Sequence, residues 1–275
     1  MVNKKMIKII GQDYIWNKLK LVHSKNKVAN AYLFYGSDGT GKEGMAIKFS
    51  ALLNCQNKNI APCGKCNSCL KIKTFQHPNI SLIIPLPKEK TINKNDNPNK
   101  ALTNKTLELI IHLFKEKIKN PYLEFNIPKA NTILINSIRD IRKKIYMKSF
   151  EEGFKCVLIF EAEKLMGNQE ESASALLKIL EEPPSNSTFV LCTKFPNKLS
   201  NTIKSRCQSI YFPPLNENEI LHYVSENNNI SNENSKIISN LSNGSLKLAN
   251  KIISNDLLKI HGTILNLIKD ITTNS

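Results

Sequence analysis

What this chain lacks narrows it first. None of its 275 residues lie in an apolar run of the roughly 20 needed to cross a bilayer. The opening MVNKKMIKII is basic and apolar, but Gly11-Gln12-Asp13 interrupts it, and no small-residue cleavage site follows. Neither a membrane partner nor a secretory leader is expected, and the cytoplasm is the expected compartment. Acidic residues are the next shortage: 23 Asp and Glu face 39 Lys and Arg, a net charge of +16. That imbalance favours a polyanionic neighbour such as nucleic acid. The lysines form no dense block, however, and with Asn and Ile they are spread along the whole chain as on a solvated surface. An even cysteine count is also missing. Seven cysteines in a reducing compartment argue against a disulfide framework. Cys156, Cys192 and Cys207 fall in or near apolar runs, where buried free thiols are ordinary.

A hydroxyl is missing from the most informative motif. GSDGTGKEG, Gly36 to Gly44, follows the phosphate-cradling pattern G-x-x-x-x-G-K-[ST] for seven residues and departs at the eighth. Ser or Thr there would hold Mg²⁺; this chain has Glu43. The surroundings fit the pattern. NAYLFYG rises before the turn as a buried strand over 31–35, and EGMAIKFSALLNC follows as a helix with Met45, Phe49, Leu52 and Leu53 on one side. Gly36, Gly39, Thr40, Gly41 and Lys42 are therefore candidates for a degenerate nucleotide-binding loop. Two readings stand side by side: a phosphate sits there weakly, or the glycines serve only to shape the turn. ATP binding is expected to be weak or absent.

Apolar spacing predicts a helix over 14–25, a strand over 80–86 and a helix from Thr106, with Leu107, Ile110, Ile111, Phe114 and Ile118 on one face. Between them, residues 88–105 have few apolar anchors and read as mobile, within a variable insertion over about 86–130. NTILINSIRDIRKKIYMKSF reads as a short strand, then a helix carrying Ile138, Ile141 and Ile145. A buried strand over 156–160 follows, then a helix stopped by Pro183-Pro184, the strand STFVLCT, and a short helix leading to a last strand. Strands alternating with helices predict an α/β fold with a parallel sheet flanked by helices. From Pro213 the pattern is only helical, which sets a boundary at about Pro213–Pro214. The expected organisation is a P-loop domain over 1–212, a small all-α domain over 213–255 and a short helical end over 256–275.

Cys55, Cys63, Cys66 and Cys69 form C-x7-C-x2-C-x2-C. Four thiolates close a tetrahedral Zn²⁺ site, and C-x2-C puts two ligands on one turn. An iron–sulfur cluster is the runner-up, since C-x2-C-x2-C also opens a ferredoxin run. That run needs a further cysteine, and Leu70-Lys71-Ile72-Lys73 supplies none. Zinc is preferred, and four protein ligands make the site structural, with a zinc-binding module over 55–69.

NAYLFYGSDGTGKEGMA, the four cysteines after it, HPNI at 77–80, SALLKILEEPP at 174–184 and SRC at 205–207 occur in that order. With them the chain resembles the clamp-loader branch of the AAA+ ATPases, the delta-prime and gamma/tau subunits of bacterial DNA polymerase III, over roughly residues 7–250. The resemblance implies an AAA+ P-loop core with a zinc-binding insertion and a helical lid. It implies gamma/tau and delta subunits as partners, with the sliding clamp and primed DNA reached through the assembly. An active member follows its apolar strand with Asp-Glu, one acid for the metal and one to orient the attacking water. This chain has LIFEAEK: Glu161 followed by Ala162 in one register, Phe160 followed by Glu161 in the other, and either loses an acid. With Glu43, that points to the non-catalytic delta-prime kind, a stator within the DNA-directed DNA polymerase holoenzyme. The alternatives are a gamma/tau-like ATPase subunit and an autonomous DNA-associated P-loop ATPase. In the family the SRC arginine enters the neighbouring subunit's ATP site, which would make Arg206 a trans arginine finger; the bland reading is a surface arginine in a salt bridge. Lys247, in NGSLKLA, resembles a basic residue that reaches the subunit's own nucleotide, and reads here as a solvated lysine. The family's helical collar is expected to be missing or reduced to one helix over 257–271.

Overall fold

A computed structural model describes residues 6–149, 151–166, 171–227 and 230–255, together with Leu257 and Thr263. The chain divides into two compact units, Met1–Gly36 with Gly41–Phe212, and Ser37–Thr40 with Pro213–Ser275.

The first unit is built on five parallel strands: β1 (Ala31–Gly36), β2 (Ile80–Ile83), β3 (Lys155–Ile159), β4 (Ser187–Thr193) and β5 (Gln208–Phe212), in the order β2-β3-β4-β1-β5. Strands covered on both faces read as continuous apolar runs, as YLF, VLI and FVL do here. Successive side chains point to opposite faces. Tyr32 and Phe34 therefore join one core with Phe49, Phe160 and Phe212, while Leu33 joins the other with Val157, Ile159, Phe189 and Leu176. The register pairs Tyr35 with Thr193 and Ile159 with Leu191. Parallel pairing thus brings the residues that follow β1, β3 and β4 to the same edge of the sheet, where open α/β sheets carry their sites.

Among the described residues, seven helices pack around the sheet: α1 (Asp13–Ser24), α2 (Lys42–Asn54), α3 (Asn67–Lys73), α4 (Asn104–Lys119), α5 (Ile135–Tyr146), α6 (Glu171–Glu181) and α7 (Asn201–Ser205). In the second unit α8 (Glu217–Asn227), α9 (Asn232–Leu241) and α10 (Leu246–Ser254) bury Ile220, Val224, Ile238, Leu246, Ala249 and Ile252. The loop apex belongs to this unit: the Leu246 amide donates to the Gly39 carbonyl at 3.2 Å, and Lys247 pairs with Asp38 at 3.1 Å. The helix expected over 257–271 lies outside the described residues, apart from Leu257 and Thr263.

Four sequence expectations change. β2 stops at Ile83 because Pro85 and Pro87 have no amide to continue the ladder. No strand precedes α5: Leu86 donates to Thr132 and Ile133 donates to Lys164, two bonds to different partners that make no ladder. Ile111 is exposed, whereas Ile110 is buried and Leu107, Phe114 and Ile118 pack on the core. Residues 88–105 are mostly exposed but anchored at several points. Ala101 and Leu102 are buried, Asn136 donates to the carbonyls of Asn93 and Asp96 at 2.9 Å each, and Glu89 accepts from Thr106 Oγ1 at 2.8 Å. The stretch looked unanchored because two apolar residues and a set of backbone bonds anchor it, which composition does not register.

Leu102 gives a direct measure of that packing. Its side chain is 1% exposed, so Leu102→Ala should cost about 2–5 kcal/mol in denaturant unfolding. A change within about 0.5 kcal/mol, the range of ordinary surface substitutions, would restore the loose insertion.

Candidate functional site

The phosphate turn begins where β1 runs out. Gly36 has φ 147°, and a Cβ there would lie 2.2 Å from the Phe212 carbonyl oxygen, so only glycine fits beside β5. Thr40 is buried, and its hydroxyl donates to the Ser37 carbonyl at 3.0 Å. Gly41 takes the left-handed conformation, φ 88°, that turns the chain into α2. Lys42 opens that helix, 7% exposed, and its ammonium donates to the Gly36 carbonyl at 2.9 Å. The strand–turn–helix is complete and its lysine is folded onto the turn itself.

Glu43 is not an exposed carboxylate facing the turn. Its side chain forms an ion pair with Lys117 of α4. Lys117 is 2% exposed; it also donates to the Leu123 carbonyl and lies over the rings of Phe125 and Phe160, 5.6 and 5.7 Å from their centroids. A charged group this buried persists only when paired and hydrogen-bonded. The acidic strand end is resolved beside it. Phe160 follows β3 directly, its amide donating to Ile83 and its ring buried against Phe125 at 6.1 Å. Glu161 comes next, in the left-handed region at φ 49°, paired with Lys164 at 2.8 Å. Burial raises the Glu161 carboxyl above its ordinary value; Lys164 opposes this, and the charges of Glu43 and Glu124 add to it. Of an Asp-Glu pair, the position next to the strand is therefore the one without an acid.

The four cysteines converge. Cys55 directly follows α2, Cys63 lies in the intervening turn, and Cys66 caps α3 by accepting from the Cys69 amide at 3.4 Å. All four sulfurs lie within 4.8 Å of one another, and Cys55 Sγ is 4.0 Å from Cys66 Sγ. Zinc–sulfur bonds of about 2.3 Å in a tetrahedron require sulfurs about 3.8 Å apart, so the cluster fits such an ion. Amides of Lys65 and Cys66 donate to Cys63 Sγ at 3.4 and 3.3 Å. Burial would raise the Cys63 thiol, but these amides and its contacts with Cys55 and Cys66 bring it down to about 6. Burial pushes the Cys55 and Cys69 thiols up. Ser68 links the module to its surroundings, donating to the Asn54 carbonyl at 2.6 Å and meeting His77 Nε2 at 3.0 Å.

Arg206 caps α7 at the opposite side of the sheet order, after β4 and before β5. Its guanidinium donates to Glu181 at 2.8 Å, at the end of α6, and to the Thr202 carbonyl at 3.1 Å. Both partners are substantially exposed, 35% and 50%. Burial pushes the neighbouring Cys207 thiol up to about 12, which makes it inert at neutral pH.

Sequence reading missed two groups. Lys117 falls seven residues after Ile110 and three after Phe114, on the apolar face of α4, and a lysine at that phase was the available signal. Glu163, buried, accepts from Thr193 Oγ1 at 2.6 Å across the strand ends, and nothing local in sequence announces that pair.

Residues 11–216 match the family model described as DNA polymerase III, delta subunit. The chain is 30% identical over 247 residues to DNA polymerase III subunit gamma of Buchnera aphidicola subsp. Schizaphis graminum, covering 87% of this chain and 55% of that relative. It is 27% identical to DNA polymerase III subunit delta' of Bacillus subtilis, covering 82% of this chain and 55% of that one. The chain thus spans about half the length of these relatives. Among solved structures, a mutant form of RuvB from Thermotoga maritima superposes with a TM-score of 0.52 at 14% identity, over 92% of this chain and 65% of that one, a likeness of fold alone.

The cysteine geometry predicts near-stoichiometric zinc by elemental analysis of the purified protein. Cys66→Ser should lower the metal content and the thermal transition together, since metal affinity and folding are linked. Iron with visible absorbance, or a metal-free protein with the same transition, is the result that counts against zinc.

Proposed function

The chain belongs to the DNA polymerase III, delta subunit family, and from that footing we propose that it is a non-catalytic, delta-prime-like subunit of the clamp loader. One observation carries the reading. The two positions from which a P-loop enzyme holds its metal are filled by an internal ion pair, Glu43 with Lys117, and by a buried aromatic ring, Phe160. Phosphoryl transfer depends on a metal ion bridging the phosphates and on an acid or amide that orients the nucleophile. A chain with neither metal-binding position lacks the first requirement, whatever Glu161 contributes to the second.

Its role is then to complete a neighbour. The partners are gamma/tau and delta subunits, and the assembly opens the sliding clamp and sets it on primed DNA. Arg206 is the group offered to the adjacent ATP site. Its present partner is easily given up. An exposed Arg–Glu pair contributes about 0–1 kcal/mol, so exchanging Glu181 for a phosphate costs little. The first unit is the AAA+ core and the second is the lid. A zinc ion held by Cys55, Cys63, Cys66 and Cys69 would have no open coordination position, so its contribution is to tie the end of α2 to the start of α3. A gamma/tau-like ATPase is the second reading, favoured by the 30% identity to a gamma subunit.

Hydrolysis separates the two. The purified chain should hydrolyse ATP no faster than its Lys42→Ala variant. Robust Mg²⁺-dependent turnover that vanishes in the variant would move it to the gamma/tau kind.

Arg206 is tested in the assembled loader. Arg206→Ala should fold with an unchanged transition and still join the complex. The complex should then lose part of its DNA-stimulated ATPase and much of its loading rate, because trans fingers raise turnover by roughly 10³–10⁵ where they have been measured, in GTPases. Arg206→Lys should rescue poorly, since an ammonium lacks the planar fork that matches phosphate oxygens. Wild-type rates in both assays would leave Arg206 an ordinary surface residue.

A further inference from the structure

The groups around Lys117 converge on one point. Glu43 stands at the motif position from which a hydroxyl would hold the divalent cation, and it is paired with the Lys117 ammonium. Phe160 stands directly after β3, where the metal-binding acid of an active site would be, and its ring centroid is 5.7 Å from the same ammonium. The Leu123 carbonyl and the face of Phe125 complete the shell. Lys117 is thus surrounded by the two positions that would otherwise share a metal ion, and it is 2% exposed.

We infer that Lys117 is a tethered replacement for the divalent cation, supplied by the insertion, which keeps the phosphate loop indifferent to Mg²⁺. A divalent ion needs oxygen ligands, six in near-octahedral order for Mg²⁺. The carboxylate at the motif position, Glu43, is already neutralised, and the residue directly after β3 is a hydrocarbon ring. The ammonium also explains why Glu43 is tolerated: without a partner, a carboxylate beside the buried start of α2 would be driven to solvent or protonated. The substitution at position 43 and the lysine at 117 are one device, since neither is stable alone. The inference does not depend on the stator reading, because it concerns the loop of the isolated chain.

Two measurements on the full chain test it, both without chelator so that the cysteine cluster is left alone. In thermal melts, ATP with Mg²⁺ and ATP without it should give transitions within about 1 °C of each other. A Mg²⁺-dependent rise of several degrees would show an intact metal site and overturn the inference. The second is a mutant cycle. Lys117→Met should lower the transition by about 10 °C, and adding Glu43→Gln should recover at least half of that. An unchanged transition in the single variant, or no recovery in the double, would mean that Lys117 does not act as the counter-ion of Glu43. A third chain, Lys117→Met with Glu43→Thr, restores the hydroxyl and removes the ammonium. There Mg²⁺ should add at least about 2 °C to whatever ATP does alone. No gain would mean that the ammonium was never what kept the metal out.

Discussion

Helix α2 is buried along almost its whole length, and that burial constrains everything around it. Eleven of its 13 residues are buried, and the two that are not, Glu43 and Lys48, are charged. A helix in that position cannot leave its ends or its charges to water. Each is met from within the fold. Lys42 folds back onto the Gly36 carbonyl; Glu43 meets Lys117; Lys48 lies over the Trp16 ring at 4.2 Å, its ammonium disfavoured by burial. At the far end Ser68 donates to the last carbonyl of the helix, and Cys55 hands the chain to the cysteine cluster. The phosphate turn, α4 and the cysteine cluster are three solutions to the problem of burying one helix.

The proposed loss of chemistry is therefore compatible with retention of the fold. An active phosphate loop carries groups that wait for a ligand: a lysine, a hydroxyl and an acid that are fully satisfied only with metal and nucleotide bound. Each waiting group costs stability in the empty state. Here Lys42 has a backbone partner, position 43 carries one half of an ion pair, and a core phenylalanine follows β3. The aromatic line Phe75–Phe114–Phe125–Phe160, with centroids 5.0, 5.3 and 6.1 Å apart, continues from that phenylalanine to the end of α3. Each of these residues thus adds pairing or packing to the core, and the proposed stator role asks of that core only its shape.

The sheet was legible in sequence because its strands are short apolar runs set between glycine and proline punctuation, and such runs at the centre of a parallel sheet have no competing interpretation. The cysteine cluster was legible because its ligands are local: three of the four lie within seven residues, and their convergence needs only one turn and one helix start. What escaped was whatever depended on distant parts of the chain. Glu43 was visible as a departure from a pattern, and its charge argued for repulsion at the loop. Its neutralisation comes from 74 residues away, through a helix whose own register placed a lysine on the buried face. The packing of 88–105 escaped for the same reason, since its anchors are the side chain of Asn136 and the carbonyls it binds. The strand expected before α5 failed on pairing: residues 132–134 found one donor, Leu86, and one acceptor, Lys164, in different places and no neighbour running alongside.

Under the proposed stator role, the isolated chain and the assembly ask different things of Arg206. Within the chain it is held at the end of α7 by Glu181 and by the carbonyl of Thr202, which fixes the direction of the guanidinium. The pair is exposed enough that water already competes for it, so its stability contribution is small and its geometric contribution is the larger one. A guanidinium held in one orientation loses less entropy when a phosphate replaces the carboxylate than one sampling many rotamers would. On the proposed reading Glu181 is a placeholder, an anion that keeps the fork presented for a phosphate. The same logic governs Lys117, with the opposite outcome. There Lys117 is enclosed, 2% exposed, and its carboxylate partner is 20% exposed, so giving up the pair would strand a buried ammonium. Burial thus separates the two ion pairs: the lysine at the phosphate loop is shut in, whereas both members of the Arg206–Glu181 pair meet solvent.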